Sequence, residues 1–313
     1  MYMRIKTLAL LNSILAICVL TCGCSQSGYS SSSISYDFSE ESHIFGSDLP
    51  YHNPMVIRLP NNQYRMFFHN GNRIMSAISD TGTTFAVESG DRLTGEMPAV
   101  VDLPDGTWRM YFSTDEGVKS ATSTDAFTFT LESGLRLAPG SAGSADSNGL
   151  VHLSVIRLLD NTYKMVYDGV NGSGSQGPSQ WTILSATSTD GLTWTKDAGQ
   201  RISSSEAAYR GIFSAWSADI HYENGQYQLY FSAEANPLSK SGIWQATSSD
   251  GLNFTIDYNP TLGRDAQYGN QGSTGQNGYL GVPQDPFLIT VTGGQRLYFW
   301  KTDAGTYCAW KAD

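Results

Sequence analysis

The chain has 313 residues, of which 15% are charged, and a formal net charge of −10. With no basic patch to offset it, that charge excludes a nucleic-acid backbone or an anionic lipid surface as partner and favours a neutral ligand. Gly, Ser, Thr, Tyr and Trp are plentiful, a composition for many short strands and tight turns rather than long surface helices.

Residues 1–24 read as an export address. Arg4 and Lys6 give a positive start, and Thr7 to Leu20 is an apolar run too short to span a bilayer comfortably. The string Leu20-Thr21-Cys22-Gly23-Cys24-Ser25 resembles a bacterial lipoprotein cleavage site. That resemblance implies Cys24 as the lipidation residue, with Cys22 as the alternative, and an ordinary secretory signal is the other reading. Residues 25–33 form a Ser-rich tether, so the expected address is the bacterial envelope, periplasm-facing or cell surface, held to the membrane only by N-terminal lipid. Of the cysteines, Cys308 alone lies beyond this region, which leaves no internal disulfide and no zinc-type spacing.

From residue 34 onward one strand–turn–strand unit recurs. Its copies are Pro54 to Phe68, Pro98 to Phe112, Leu153 to Tyr167, Ser217 to Phe231 and Pro286 to Phe299. The turns hold Asn61-Asn62, Asp105-Gly106, Asp160-Asn161, Asn224-Gly225 and Gly293-Gly294, pairs that tolerate positive φ and make hairpins. A second hairpin follows each of the first four copies, as in Ser185-Ala-Thr-Ser-Thr-Asp-Gly-Leu-Thr-Trp194. Two hairpins per unit make four strands, the sequence form of a propeller blade. The expected fold is therefore an all-β, five-bladed β-propeller occupying residues 34–313 as one domain. The fifth unit ends without an outer strand, and Phe38-Ser-Glu-Glu41-Ser42 matches Phe85-Ala-Val-Glu88-Ser89. Residues 34–41 are thus expected to close the ring by pairing with the last blade. The inserts 138–150, 171–180, 203–213 and 257–280 are candidates for a rim around a binding site.

In a propeller the first strand of every blade lines the axis, and these strands begin at one mouth. Here the starts hold His52-Asn53, Glu96-Met97, Val151-His152, Trp216 to Asp219 and Gln284-Asp285. Convergent carboxylates beside aromatic rings suit sugars: an acid protonates the leaving oxygen, a base activates water, and flat rings stack on the sugar. The segment Trp216-Ser-Ala-Asp219-Ile-His221-Tyr-Glu-Asn-Gly225-Gln-Tyr-Gln-Leu-Tyr-Phe231 resembles the Trp-Ala-Pro-Glu-Ile-His…Gly-x-Tyr-x-Ile-Tyr-Phe stretch of glycoside hydrolase family 43. Gln284-Asp285-Pro286 is similar to the Asp-Pro that opens inner strands in that family and in its levansucrase and invertase relatives.

The resemblance implies inverting hydrolysis by three acidic side chains, a base, an acid and a carboxylate that tunes the acid, on glycans of the arabinose or xylose type. Asp285, Asp219 and Glu96 are the candidate carboxylates, while Trp216, His52, Asn53, His152 and His221 are candidates to bind substrate. The pattern is broken at Asn53, where the base is expected, and at Met97. Structural alternatives stand beside each: Asp285 as an acceptor of backbone N–H groups, Asp219 as a buried partner of a neighbouring blade, Glu96 as a solvated loop acid. Trp108, Trp194 and Trp244 recur at hairpin positions and read as packing between blades. The hairpin aspartates Asp125, Asp190 and Asp250 read as structural. No cofactor is required, a central calcium or sodium ion can be accommodated, and a monomer is expected. A non-catalytic, surface-anchored glycan-binding propeller is the competing function, and a structural or protein-binding propeller a third.

Overall fold

Hairpin chemistry sets the local structure. Asn62, Asn161 and Asn224 take positive φ at the turns, as do Gly106, Gly225 and Gly293, so consecutive strands return antiparallel. In the computed structural model, residues 37–46, 52–172, 181–264, 281–301 and 304–313 are described. The address segment with Cys22 and Cys24, the tether, and parts of two rim inserts (173–180 and 265–280) lie outside the described residues.

Five antiparallel sheets form the five blades of a β-propeller. Blade 1 runs outward through His52–Arg58, Tyr64–Asn70, Arg73–Ser79 and Ala86–Val87. Blade 2 comprises Glu96–Asp102, Trp108–Thr114, Gly117–Ser123 and Thr130–Leu131. Blade 3 comprises Gly149–Arg157, Tyr163–Val170, Trp181–Ser188 and Thr195–Lys196. Blade 4 comprises Ile212–Glu223, Gln226–Ala235, Gly242–Ser248 and Thr255–Ile256. Blade 5 takes Pro283–Val291, Gly294–Lys301 and Gly305–Ala312 from the end of the chain, and its outer strand Ser39–Phe45 from the beginning.

Ring closure occurs as the repeat implies, but with the strand placed later than residues 34–41. Ser39 pairs with Trp310 and Phe45 with Thr306. Bulges between Glu40 and Ser42 and between His43 and Phe45 let the strand run on past the expected end. Gly305, at φ 99°, makes this approach feasible, because a Cβ there would collide with the Phe45 carbonyl.

The core is divided by interface. One cluster of buried apolar side chains fills each junction between neighbouring blades, for example Met55, Phe67, Val100 and Phe112 between blades 1 and 2. Phe38, Tyr230, Leu288 and Phe299 fill the junction between blades 4 and 5. Trp194 and Trp244 are buried in such junctions, the packing role expected of them. Arg65 and Arg109 tighten the seams: each pairs with a carboxylate of its own blade (Glu88, Glu132) at 2.9 Å and donates to a hairpin carbonyl of the next, Asp125 O or Asp190 O.

Candidate functional site

Every inner strand carries the same irregularity at its start. The pairing with the second strand slips between His52 and Met55, Glu96 and Ala99, Val151 and Ser154, Trp216 and Asp219, and Gln284 and Phe287. Inside each slip one non-glycine residue takes positive φ: Asn53 52°, Met97 53°, His152 49°, Ser217 50° and Asp285 52°. Such bulges re-aim a side chain away from the sheet. All five of these residues line one small cavity on the axis, a space of about 30 Å³ with room for roughly one water molecule.

The residue before each bulge pairs with an equivalent position on the second strand. These partners are His69, Ser113, Asp168, Ser232 and Trp300. Sequence reasoning missed all five. The signal that could have found them is the repeat itself: this position directly follows the repeated aromatic residue (Phe68, Phe112, Tyr167, Phe231, Phe299) and changes character from blade to blade.

Around His152 the two sets meet. His152 Nδ1 lies 2.8 Å from Asp168 Oδ2, which also accepts the Ser217 backbone N–H at 2.7 Å. His152 Nε2 is 4.0 Å from Asp285 Oδ1. Asp285 is itself anchored, its N–H donating to Ser232 Oγ at 2.9 Å. Trp181 stands against the His152 ring with centroids 4.8 Å apart, and Trp300 against His52 at 4.4 Å. Both indoles are only half-buried, so they offer aromatic surface at the mouth.

Protonation differs sharply among these groups. Burial pushes the His152 pKa down, but the bond to Asp168 and the charges of Asp168, Asp285 and Glu96 outweigh it and raise the value. Burial raises Asp168. Burial and the nearby Asp115 raise Glu96, with His152 pulling the other way. His52 is lowered by burial, and His69 falls to about 4 for the same reason.

His69 then dictates how Asn53 is presented. Its Nδ1 faces the Gly71 carbonyl at 3.1 Å and must carry the proton. At neutral pH its Nε2 is therefore a bare acceptor, 3.0 Å from the atom placed as Asn53 Oδ1. Two acceptors cannot pair, so the amide is assigned with its ends exchanged, NH₂ toward that nitrogen and the oxygen left as the uncommitted acceptor.

Of the residues singled out from the sequence, the structure brings His52, Asn53, Glu96, His152 and Asp285 to the mouth. Asp219 lines the axial cavity with both oxygens engaged: Oδ1 accepts from Ser154 Oγ at 2.6 Å, and Oδ2 accepts from Leu288 N at 2.8 Å beside His221 Nε2 at 2.5 Å. Two expectations need correction. Trp216 is only 2% exposed and does not line the cavity, so it offers no face to a ligand. His221 lies further along its strand and borders a separate cavity with Tyr222, Glu223 and the blade 3 hairpin, away from the mouth. Asp125, Asp190 and Asp250 cap their hairpins by accepting backbone N–H groups, the structural role expected. Among the described residues, no group of three or more His, Cys, Asp or Glu is placed to hold a metal ion.

No family model and no curated protein matches the chain. Solved structures do resemble it. An endo-arabinase from Bacteroides thetaiotaomicron VPI-5482 is 13% identical with a TM-score of 0.64, covering 88% of this chain and 98% of its own. A thermostable family-43 glycoside hydrolase is 14% identical with a TM-score of 0.63, over 83% and 88% respectively. An endo-1,4-beta-xylanase, also from B. thetaiotaomicron VPI-5482, is 18% identical with a TM-score of 0.60, over 85% and 92%. At these identities what is shared is the fold: the chain has the five-bladed architecture of family 43 glycoside hydrolases.

Proposed function

We propose that the protein is an exported glycoside hydrolase, tethered to the bacterial envelope through lipid on Cys24, that cleaves glycans of the arabinose or xylose type. The observation that carries this reading is the convergence of Glu96 from blade 2 and Asp285 from blade 5 on the His152 imidazole, with Trp181 and Trp300 beside them. The similar endo-arabinase and endo-xylanase support the substrate class.

Glu96 holds its proton to higher pH than an ordinary carboxyl and serves as the acid. It protonates the glycosidic oxygen as the bond to the anomeric carbon breaks. Asp285 takes a proton from water, whose oxygen attacks that carbon from the opposite face, giving inversion. Asp219, with both oxygens committed to three blades, holds the scaffold.

The test is release of sugar from aryl glycosides and from arabino- and xylo-oligosaccharides by the purified protein. Asp285→Asn and Glu96→Gln are each expected to lower kcat by about 10²-fold or more. Hydrolysis that survives both substitutions would remove these residues from the chemistry.

A specific observation favours a second reading, glycan binding without cleavage. Asn53 and Met97 occupy mouth positions equivalent to Asp285, and neither side chain exchanges a proton near neutral pH. Oligosaccharide binding by calorimetry with no product formed would select it.

A further inference from the structure

We infer that Asp168, buried behind the mouth, is a positioning residue that fixes His152 as a charged hydrogen-bond donor facing Asp285. The inference deepens the hydrolase reading and, for its catalytic consequence, rests on it.

The five-fold repetition separates what the fold needs from what Asp168 adds. Asp168 accepts the backbone N–H of Ser217, the bulge residue of the next blade, at 2.7 Å. One blade further round, Ser232 does the same for Asp285 at 2.9 Å with a hydroxyl. A neutral serine therefore suffices to hold that backbone. The carboxylate is costlier: Asp168 has no solvent exposure, and its Oδ1 has no hydrogen-bond partner among the described residues. What it supplies beyond a serine is the 2.8 Å contact to His152 Nδ1.

That contact assigns the ring nitrogens. With the Nδ1 proton given to Asp168, Nε2 is the atom turned to Asp285 Oδ1, 4.0 Å away. The gap is too long for a direct hydrogen bond and short enough for charge to be felt, so a water or a sugar hydroxyl can bridge it. The ionisable groups facing the imidazole are Asp168 behind it, Asp285 from blade 5, Glu96 from blade 2, and His52 and His69 from blade 1. Three carboxylates against two neutral imidazoles favour the protonated ring. An imidazolium there offsets the mutual repulsion of the carboxylates and lies opposite Asp285, the base.

Asp168→Ser is the informative variant, because blade 4 already shows serine holding the equivalent backbone. Side-chain ¹⁵N–¹H NMR titration of the full chain, with the His152 signal identified by its loss in His152→Gln, reads the ring directly. The wild-type ring is expected to titrate above its ordinary value of 6.5 and, in Asp168→Ser, below it. A wild-type value at or below 6.5, or no change in Asp168→Ser, overturns the inference. The wild-type titration decides the point even if the variant fails to fold. In turnover, the alkaline limb of kcat/KM should move to lower pH in Asp168→Ser, with kcat down about tenfold or more. A wild-type protein that cleaves no glycan would sink the hydrolase reading, while the titration would still decide the role of Asp168.

Discussion

Asp190 sits at a hairpin corner and accepts the backbone N–H groups of Leu192 and Thr193 at 2.8 and 2.7 Å. Those bonds pull its carboxyl down to about 2. A carboxyl depressed by folding contributes stability that is present above its ordinary value near 3.8 and lost as pH falls toward 2. Asp190→Ala is therefore expected to cost about 1–2 kcal/mol in urea unfolding at pH 7, a modest figure because the group is largely solvated, and almost nothing near pH 2. Asp168 has the same side chain in the opposite surroundings, with no solvent exposure, one oxygen unpartnered among the described residues and a histidine in contact. The hairpin motif marks Asp190 in the sequence; nothing local marks Asp168, whose character comes from its partners.

Between blades, the joints are not alike. Arg65, Arg109 and Arg296 each reach a hairpin carbonyl of the following blade, joining 1 to 2, 2 to 3 and 5 to 1. Blades 3 and 4 carry Lys164 and Gln228 at the equivalent strand position, and neither side chain has the five-donor fork of arginine. There the joining is done on the axis by Asp219, which rises from blade 4, accepts from Ser154 in blade 3 and accepts from the Leu288 backbone in blade 5. Removing a buried carboxylate leaves those donors unsatisfied, so Asp219→Ala should cost about 3 kcal/mol or more in denaturant unfolding. A variant with full stability and lost turnover would instead place Asp219 in the chemistry.

Over the whole molecule, closure depends on a strand that enters from the far end of the sequence. Phe38 is buried against Tyr230 of blade 4, ring centroids 6.4 Å apart, just before the strand that completes blade 5. Phe38→Ala is expected to cost about 3–5 kcal/mol and to lower the midpoint of thermal unfolding; an unchanged midpoint would mean the ring holds without it. The blades and their closure were legible in the sequence, because hairpin pairs such as Asn224-Gly225 and the Phe38 match are local signals. The site was legible only in part. His52, Asn53, Glu96, His152 and Asp285 could be found from strand starts, whereas Asp168, Trp181 and Trp300 become neighbours of the mouth only through cross-strand register. Trp216 misled because it shares its strand-start position with His52 and Glu96, and only the packing around it shows that it is buried. The recurring bulge also has a bearing on how such a mouth diversifies. Asn, Met, His, Ser and Asp all stand on nearly the same left-handed backbone, so the scaffold is indifferent to which of them is present. Branching at Cβ is what that backbone resists, which leaves Val, Ile and Thr as the poor occupants. Side chains at the entrance can thus be exchanged one blade at a time, with the framework beneath unaltered.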